Sequence, residues 1–311
     1  MVIAMRMADR SVITYDKETL EREAAVLSDV VDVGGIPCIP KRNVRSFLIM
    51  GIDDTAEQGE DYAMGGQCDV LDLMVIDYTN KTYRLLPINR NTICEVRWYD
   101  VDGEDLGTSE IQIAYAHAVG DGGAFSCENV VEAVSKYLGG VEIAYYMALD
   151  IAAIPKINQL VDGVTVTVED DFSATDPTLV KGETITLTDK QAENFVRARM
   201  SMKDDDTNEA RMRRQQAYLD ALQSQMIEKA KADGKYAINV YDKLTPDMVT
   251  NMNGKAFSRL VNGLTECENL GPVEITGAIG EDKLGYATFE PDKESVRDAI
   301  ITLFYRKADE E

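Results

Sequence analysis

Clustered arginines are the residues in this sequence whose types and spacing are best suited to chemistry. The cluster comprises Arg197, Arg199, Arg211 and Arg214, and Gln215 follows it directly. On an α-helix Arg211 and Gln215 are four residues apart and share one face, with Arg214 nearby. Guanidinium groups can hold phosphate oxygens through paired hydrogen bonds, so the cluster predicts a phosphate-binding site. A solvated charged face, whose Arg–Asp pairs contribute little to stability, is the alternative that clustering alone leaves open.

Two aspartates and a further arginine stand at the ends of predicted strands. Asp53 follows the apolar run 46–51, Asp69 opens the next apolar run, and Arg90 ends the run after that. Carboxylates at the edge of a sheet, close to arginines, provide the hard oxygen ligands that suit Mg²⁺ bound to a phosphate-bearing substrate. Each of these residues taken alone is more often an ordinary loop residue. Together they make a Mg²⁺-dependent phosphate site the hypothesis for this edge of the sheet.

The overall charge and the motif content exclude several classes of function. The chain has 311 residues and a formal net charge of −23 at pH 7. Such a surface repels nucleic acid and anionic lipid headgroups, so an anionic substrate must be met by local arginines or by a metal. His117 is the one histidine, which excludes a multi-histidine metal site, and a structural role for it is favoured over that of a base. The sequence contains no GxSxG, P-loop or GxGxxG motif.

The five cysteines form no CxxC pair, which argues against a zinc ribbon or a thioredoxin-like site. Cys94 and Cys127 are the candidate disulfide if the compartment is oxidising. For the remaining cysteines we favour the role of small buried hydrophobic residues.

Residues 1–43 are interpreted as a preamble to one larger domain at 44–307. Residues 17–31 predict an amphipathic helix that the following glycines and prolines end. No segment approaches the ~20 apolar residues of a membrane span, and the N-terminus lacks a secretory hydrophobic region. We therefore expect the chain as given to be soluble.

Hydrophobic periodicity predicts alternating strands and helices over 44–307. The predicted strands are 46–51, 70–77, 82–88, 145–149 and 164–168, with the second and third joined as a hairpin. The predicted helices are 128–138, 151–160, one opened by a capping box at Thr188, 208–232, one beginning at Thr245, and 295–305. This alternation predicts an α/β fold, a central mixed β-sheet flanked by helices on both faces.

The sequence resembles the LytR-CpsA-Psr family from about Phe47 to Tyr305. The segments that carry the resemblance are FLIMGIDD (47–54), CDVLDLMVIDYTNKTYRLLPINRNT (68–92), ENVVEAVSKYLGGVEIAYYMALDIAAIPKINQLVDGVTVTV (128–168), KGETITLTDKQAENFVRARM (181–200) and EARMRRQQAYLDAL (209–222). Several motifs in a common order are far more specific than any single one. The resemblance implies a phosphotransferase that moves a glycopolymer phosphate from a polyprenyl-diphosphate carrier onto cell-wall peptidoglycan.

The resemblance also implies roles for individual residues. Asp53 and Asp69 match the aspartates that coordinate Mg²⁺ at a pyrophosphate, and Asp69 is the preferred acceptor of the proton from the attacking hydroxyl. The expected catalytic residues are Asp69, Arg90, Arg197 and Arg199. The expected ligands of the substrate phosphates are Arg90, Arg197, Arg199, Arg211, Arg214 and Gln215. The apolar interior of the α/β core, or a channel between helix and sheet, is expected to hold the prenyl tail.

Three positions depart from the family's usual residues. Gln67 stands in place of an arginine, and Asn91 and Asn208 stand in place of aspartates. These changes leave the phosphate-binding set intact and predict one phosphate contact fewer. Gln67 and Asn91 also motivate one alternative, a protein that binds or hydrolyses a diphosphate lipid without transferring it. The strongly acidic surface, with helices able to pair with partners, motivates a second alternative, a wall-associated scaffold.

The resemblance further implies a location at the cell envelope. Family members are normally anchored by an N-terminal membrane helix, with this domain outside the cytoplasmic membrane. We therefore expect an extracytoplasmic domain whose anchor is not part of the given chain.

Overall fold

The computed structural model describes residues 30–53, 66–100, 102–198 and 208–309. Arg199 lies outside the described residues, and so does nearly all of the predicted helix 17–31. Every helix within the described ranges is too short or too polar to cross a bilayer.

Strands and helices alternate along most of the described chain. The strands are β1 (Val31–Val33), β2 (Ile36–Pro40), β3 (Val44–Asp53), β4 (Gln67–Asp77), β5 (Thr82–Pro87), β6 (Ile93–Tyr99), β7 (Asp105–Gln112), β8 (Tyr145–Asp150), β9 (Thr165–Thr167), β10 (Thr184–Thr186), β11 (Met248–Thr250), β12 (Glu268–Pro272), β13 (Gly277–Glu281), β14 (Ala287–Pro291) and β15 (Tyr305–Lys307). The α-helices are α1 (Tyr115–Ala118), α2 (Ala124–Tyr137), α3 (Ile154–Leu160), α4 (Asp189–Arg197), α5 (Asn208–Ala232), α6 (Tyr236–Leu244), α7 (Gly254–Leu264) and α8 (Lys293–Phe304). Short 3-10 turns lie at Ile151–Ala153 and Thr245–Asp247.

One six-stranded mixed sheet forms the centre of the fold, in the order β11-β8-β3-β4-β5-β12. β3 runs antiparallel to β4 and parallel to β8, and β5 is antiparallel to β4, which confirms the predicted hairpin. At the edges β11 is antiparallel to β8 and β12 is parallel to β5. The central strands β3 and β4 are largely buried, because their nearly continuous apolar runs are covered on both faces.

Helices pack on both faces of this sheet, which confirms the predicted layered α/β fold. On one face Leu48 joins a core cluster with Val134 of α2 and Ile300 of α8. On the other face its neighbour Phe47 packs with residues of α5, α6 and α7, among them Leu260. Successive side chains of a strand point to opposite faces, so β3 contributes to both layers of the core.

A third apolar cluster joins the segment that follows the sheet to the long helix α5. It contains Phe172, Val166 of β9, Phe195 of α4, and Tyr218 and Leu222 of α5. The rings of Phe172 and Phe195 stack with their centroids 5.6 Å apart. This cluster fixes α4 against α5 and therefore sets the relative position of the arginines that the two helices carry.

Part of the predicted preamble is paired with the end of the domain. β1 and β2 form a hairpin, and β2 pairs antiparallel with β15, so that Cys38 lies opposite Lys307. Cys38 is fully buried. The boundary at residue 43 stays a prediction, but residues 31–40 are structured and packed.

Two sequence expectations are wrong. Thr245 begins a 3-10 turn and not an α-helix, because the β-branched Val249 and Thr250 continue into strand β11 at the edge of the sheet. The cap of the next helix is Asn253, whose side chain accepts a hydrogen bond from the amide of Ala256.

The second wrong expectation is the candidate disulfide between Cys94 and Cys127. Cys94 and Cys127 both carry free thiols and are both buried. Cys127 contacts the ring of His117 instead, with Sγ 3.8 Å from Nε2. Burial raises the pKa of each of these thiols to about 12, so neither is a reactive thiolate at neutral pH.

Candidate active site

A β-bulge at the end of the β3–β4 pair sets the position of Asp69. Gly51 pairs with Val70 and Ile52 pairs with Cys68, which leaves Asp69 as the extra residue of β4. A bulge bends the strand locally and redirects the side chain of the added residue. A Cβ on Gly51 would stand 2.9 Å from the Cβ of Val70, so only glycine allows the strands to approach this closely at the bulge.

The carboxylate of Asp69 is held between two arginines. Its Oδ1 lies 2.6 Å from Nη1 of Arg90, and its Oδ2 lies 3.0 Å from Nη1 of Arg211. The Asp69 side chain is 5% exposed, so both ion pairs are shielded from water. Two guanidiniums share one carboxylate, and the three groups together retain a net positive charge suited to an anionic ligand.

Gln67 supports the same arrangement. Nη2 of Arg90 donates a hydrogen bond to Oε1 of Gln67, the residue that pairs with Asp53 at the end of the strands. Arg90 therefore has a carboxylate on one side and an amide oxygen on the other. Its Nε is buried and has no hydrogen-bond partner among the described residues. The family usually has an arginine at the position of Gln67. In this chain Gln67 instead orients Arg90 through the hydrogen bond that it accepts.

Arg214 has a set of protein partners of its own. Nη1 donates to Oδ2 of Asp170 at 2.8 Å, Nη2 donates to the carbonyl oxygen of Ala198, and the guanidinium carbon lies 5.7 Å from the ring centre of Phe172. The side chain is 4% exposed. These contacts tie the first turns of α5 to the end of α4 and to the segment around Asp170. The role of Arg214 as a phosphate ligand stays a prediction, and its observed contacts are structural.

Arg197 lies in the last turn of α4, and the predicted capping box fixes where that helix begins. The Thr188 side chain accepts from the Gln191 amide, and the Gln191 side chain accepts from the Thr188 amide. Nη1 of Arg197 lies 3.5 Å from Oε1 of Glu193, one turn earlier on the helix. The Arg197 side chain is about one third exposed, and an ion pair this accessible contributes little to stability.

Gln215 connects the arginine site to a large apolar cavity. The side chain is 5% exposed, and its Nε2 has no hydrogen-bond partner among the described residues. It lines a cavity between the sheet and α5 together with Val70 and Val196. These two valines are the sequence neighbours of Asp69 and Arg197, and Gln215 follows Arg211 by about one helical turn.

The cavity extends from there into the layer between the sheet and helices α3, α5, α6 and α7. Its lining is dominated by apolar side chains such as Met74, Leu149, Ile154, Leu222 and Leu260. Walls of this kind suit an extended apolar chain. A site with arginines at one end and hydrocarbon walls beyond them suits an amphipathic anion.

The carboxylates fit Mg²⁺ only as an ion shared with a substrate. No group of three or more His, Cys, Asp or Glu side chains that could enclose a metal occurs among the described residues. Mg²⁺ is commonly held by one or two carboxylates, with substrate phosphates and water completing the octahedron. Asp53 and Asp69 supply that number of carboxylates. The Asp69 oxygens already accept from arginines, but each carboxylate oxygen has a second lone pair.

His117 lies in the core behind the site. The ring is 1% exposed, and its Nδ1 is 3.2 Å from the carbonyl oxygen of Gly66. The structural role that the sequence favoured for this residue agrees with its burial.

Two acidic residues of this region were missed in the sequence. Asp170 was not connected to the arginines, because nothing in its local sequence indicates a partner 44 positions away. Asp72 was missed as well, although it interrupts the apolar run VLDLMVID (70–77). A carboxyl group within a predicted buried strand is a signal that could have identified it. Asp72 is 1% exposed and lines the cavity.

Comparison with known proteins gives consistent matches. The family model described as the LytR_cpsA_psr family matches residues 6–303. A curated relative from Bacillus subtilis (strain 168), "Polyisoprenyl-teichoic acid--peptidoglycan teichoic acid transferase TagV", is 27% identical over 307 residues, covering 93% of this chain and 70% of its own. The crystal structure of B. subtilis TagV superposes with a TM-score of 0.61 at 25% identity, covering 84% of this chain and 97% of that one. A structure of TagT bound to LI-WTA has a TM-score of 0.63 at 20% identity, over 84% and 90% of the two chains.

Proposed function

This chain belongs to the LytR_cpsA_psr family, and on that premise we propose that it transfers a glycopolymer phosphate from a polyprenyl-diphosphate carrier to peptidoglycan. The chain is an enzyme of the phosphotransferase class, as its curated relative is a transferase. The relative's name gives teichoic acid as the glycopolymer and peptidoglycan as the acceptor. The same glycopolymer class and acceptor are proposed here, at the cell envelope.

One observation carries the proposal: the Asp69 carboxylate holds Arg90 and Arg211, and Val70 and Gln215, the neighbours of Asp69 on β4 and of Arg211 on α5, line an apolar cavity. The arginines suit a diphosphate, and the hydrocarbon walls suit a prenyl chain attached to it. A soluble nucleotide sugar would make no use of the apolar walls, and a plain lipid would make no use of the arginines. A lipid-linked diphosphate satisfies both ends of the site.

In the proposed reaction the acceptor hydroxyl oxygen forms a bond to the sugar-linked phosphorus. The bond from that phosphorus to the bridging oxygen breaks, and polyprenyl phosphate leaves with the bond's electron pair. Phosphoryl transfer depends on alignment and on neutralisation of charge more than on covalent help from the protein. Arg90, Arg211 and Arg197 would bind the equatorial and bridging oxygens as negative charge develops on them. Arg199 is assigned the same role by its match to the family motif.

The carboxylates have two proposed roles. Asp53 and Asp69 would hold Mg²⁺, which when bound would neutralise diphosphate charge and improve the leaving group. Asp69 also fixes the direction in which Arg90 and Arg211 present their remaining N–H groups. As the preferred proton acceptor, Asp69 would take the proton of the acceptor hydroxyl.

A transfer assay tests the proposal. The protein would be mixed with a geranylgeranyl-diphosphate-linked disaccharide, Mg²⁺ and a soluble peptidoglycan fragment, and mass spectrometry would follow the phosphodiester product. We expect product with the unmodified chain and about a 100-fold slower reaction with Arg90→Ala, the magnitude typical of losing one oxyanion ligand. Arg259→Ala is the control, because Arg259 is exposed on α7, and it is expected to react at the unmodified rate.

The assay also separates transfer from the alternatives. Release of polyprenyl phosphate at the same rate with and without the peptidoglycan fragment would indicate hydrolysis. Binding of the donor with no release would indicate a lipid-binding protein. Unchanged transfer by Arg90→Ala would contradict the assignment of this site.

A further inference from the structure

An acidic side chain interrupts the apolar wall of the cavity. Asp72 lies on β4 between Val70 and Met74, and all three line the cavity. Its side chain points toward the helix layer and is 1% exposed. Strands advance by about 3.3 Å per residue, so Asp72 stands about 10 Å from Asp69, on the path that an apolar chain would take from the arginines inward.

Among the described residues, the groups that act on Asp72 include no cation. Across the sheet it lies opposite Ile49 of β3 and Pro87 of β5, neither of which titrates. From α5, Nε2 of Gln216 is 3.5 Å from Oδ2 of Asp72, and the carboxylate of Asp220 accepts from the same Gln216 side chain at 2.9 Å. Oδ1 of Asp72 has no hydrogen-bond partner among the described residues.

Within the part of the chain that the structure describes, two tyrosines and one further carboxyl group lie near this part of the cavity. Tyr218 of α5 lines the cavity, and its hydroxyl has no partner among the residues that the structure covers. Tyr83 of β5 is buried on the same face of the sheet. Asp150 lines the cavity at the end of β8, where its Oδ1 accepts from the Ala152 amide at 2.6 Å. Burial raises the pKa of each tyrosine above that of an ordinary phenol, so neither adds a charge at neutral pH.

Burial, repulsion from Asp220 and the weak hydrogen bond from Gln216 together decide the charge of Asp72. Burial is the largest effect and Asp220 adds to it, while Gln216 opposes them, so that the pKa of Asp72 rises from an ordinary value near 3.8 to about 7. The carboxyl group is therefore neutral in mildly acidic solution and ionised in alkaline solution. Only the neutral form can lie against hydrocarbon, since an unpaired ion in an apolar contact loses its hydration without compensation.

We propose that Asp72 must be protonated for the cavity to accept an apolar chain, so that binding of the lipid carrier takes up a proton at this residue. The identification of that chain as the prenyl tail of the donor rests on the proposed function. Water can remain beside an ionised Asp72 only while the chain is absent. Chain and proton therefore bind together, and each strengthens the binding of the other.

The proposal gives a quantitative expectation for affinity. If only the protein with neutral Asp72 binds the chain, the apparent dissociation constant scales with the inverse of the neutral fraction. With a pKa of about 7, affinity falls about tenfold between pH 6 and pH 8. At pH 7.5 about 0.8 proton is taken up for each chain bound.

Farnesol is a suitable probe, because it is an apolar prenyl alcohol with no group that titrates between pH 5 and pH 9. Calorimetric titrations at pH 6 and pH 8 would give its affinity. Titrations at pH 7.5 in two buffers of different protonation enthalpy would count the protons taken up by the unmodified protein. Asp72→Asn has the same shape and no charge, so it is expected to bind farnesol equally well at both pH values and to take up no proton.

Two further variants refine the test. Asp220→Asn removes the repelling charge, so the pH at which affinity declines is expected to move downward. Asp298→Asn makes the same chemical change at an exposed position of α8, and it is expected to keep the pH dependence of the unmodified chain. Circular dichroism would verify that each variant is folded.

The possible outcomes separate this inference from the proposed function. Equal affinity of the unmodified chain at pH 6 and pH 8, no proton uptake, or a persistent pH dependence in Asp72→Asn would overturn the inference. Absence of farnesol binding at every pH would also overturn it. The proposed function is decided separately, by the transfer assay with the diphosphate donor and Arg90→Ala.

Discussion

Asp69 and Arg211 lie 142 positions apart in the chain, and their side chains meet at 3.0 Å in a buried ion pair. The same carboxylate binds Arg90 through its other oxygen at 2.6 Å. A single acidic group thus sets the direction of two guanidiniums from different elements, one after β5 and one on α5. Because this pairing joins the sheet to the long helix, a change at any of the three residues affects both the site and the packing.

Arg211→Lys is expected to slow transfer by about 100-fold while leaving the fold intact. Lysine keeps the charge but presents a point donor in place of the planar fork that can bind Asp69 and a phosphate together. Arg211→Ala is expected to lower the free energy of unfolding by about 3 kcal/mol, because Asp69 then keeps one buried partner instead of two. Rates from the transfer assay and urea unfolding would measure the two effects. A lysine variant with the full rate would contradict a role for the guanidinium fork.

Gln67→Ala is expected to lower kcat/KM by about tenfold, chiefly through a higher KM for the diphosphate donor. The change removes the acceptor for Nη2 of Arg90, and a hydrogen bond to a charged group contributes about 1.5 kcal/mol. Steady-state kinetics at constant ionic strength would test it. Thr79→Ala serves as a control, because Thr79 is an exposed turn residue whose hydroxyl donates a hydrogen bond to the carbonyl oxygen of Arg42. An unchanged KM in Gln67→Ala would show that Arg90 needs no support from this side.

Arg214→Ala is expected to destabilise the protein by about 3–5 kcal/mol, because it leaves the largely buried Asp170 without its cation. Asp170→Ala is expected to lower the free energy of unfolding by a similar amount. The double variant is expected to lower it by less than the sum of the two single variants. Urea unfolding of the four proteins would give the coupling energy, which we expect to exceed about 1 kcal/mol. Full stability with a large loss of transfer in Arg214→Ala would instead place this arginine on the substrate.

Asp72→Asn is expected to make the protein more stable in alkaline solution and to change little in acid. The pKa of Asp72 is raised in the folded state to about 7, so between about pH 4 and pH 7 the folded chain holds a proton that the unfolded chain has lost. Stability contributed by this group is therefore present below pH 4, falls as pH rises through that window, and stays lower above pH 7. A shift of about three pKa units corresponds to ~4 kcal/mol as an upper bound.

Urea unfolding at pH 4 and pH 8 would measure this difference. The stabilisation by Asp72→Asn should appear at pH 8 and vanish at pH 4, whereas the exposed control Asp298→Asn should show no such change. A stabilisation of equal size at both pH values would show that the variant acts through packing and not through the charge of Asp72.

Asp53→Asn is expected to raise the Mg²⁺ concentration needed for half-maximal transfer and to leave the unfolding free energy nearly unchanged. Asp53 lies partly exposed at the end of β3, and its carboxylate is one of the two proposed to hold the ion. Excess EDTA is expected to stop transfer by the unmodified chain, and added Mg²⁺ to restore it. Transfer that is insensitive to EDTA would contradict the proposed metal.

Local sequence determined the elements that carry this site. The alternating and continuous apolar runs predicted β3, the β4–β5 hairpin and the layered α/β fold, and helix α5 spans the predicted residues 208–232. The capping box at Thr188 was confirmed, since both of its hydrogen bonds join residues three positions apart. Such signals are short-range, and the physical preferences that produce them act within one turn or one strand. The family motifs added which arginines and aspartates belong together.

Tertiary structure alone decided how those residues engage one another. The bulge that redirects Asp69 depends on the register between two strands, and register is set by the burial of both faces and not by any single residue. Arg214 meets Asp170, and Gln216 of α5 meets Asp72 of the sheet, only because packing of the apolar layers brings α5 over the site. The raised pKa of Asp72 follows from that packing. A carboxyl group in a sequence has an ordinary pKa, and only the fold removes the water and cations that would keep it charged.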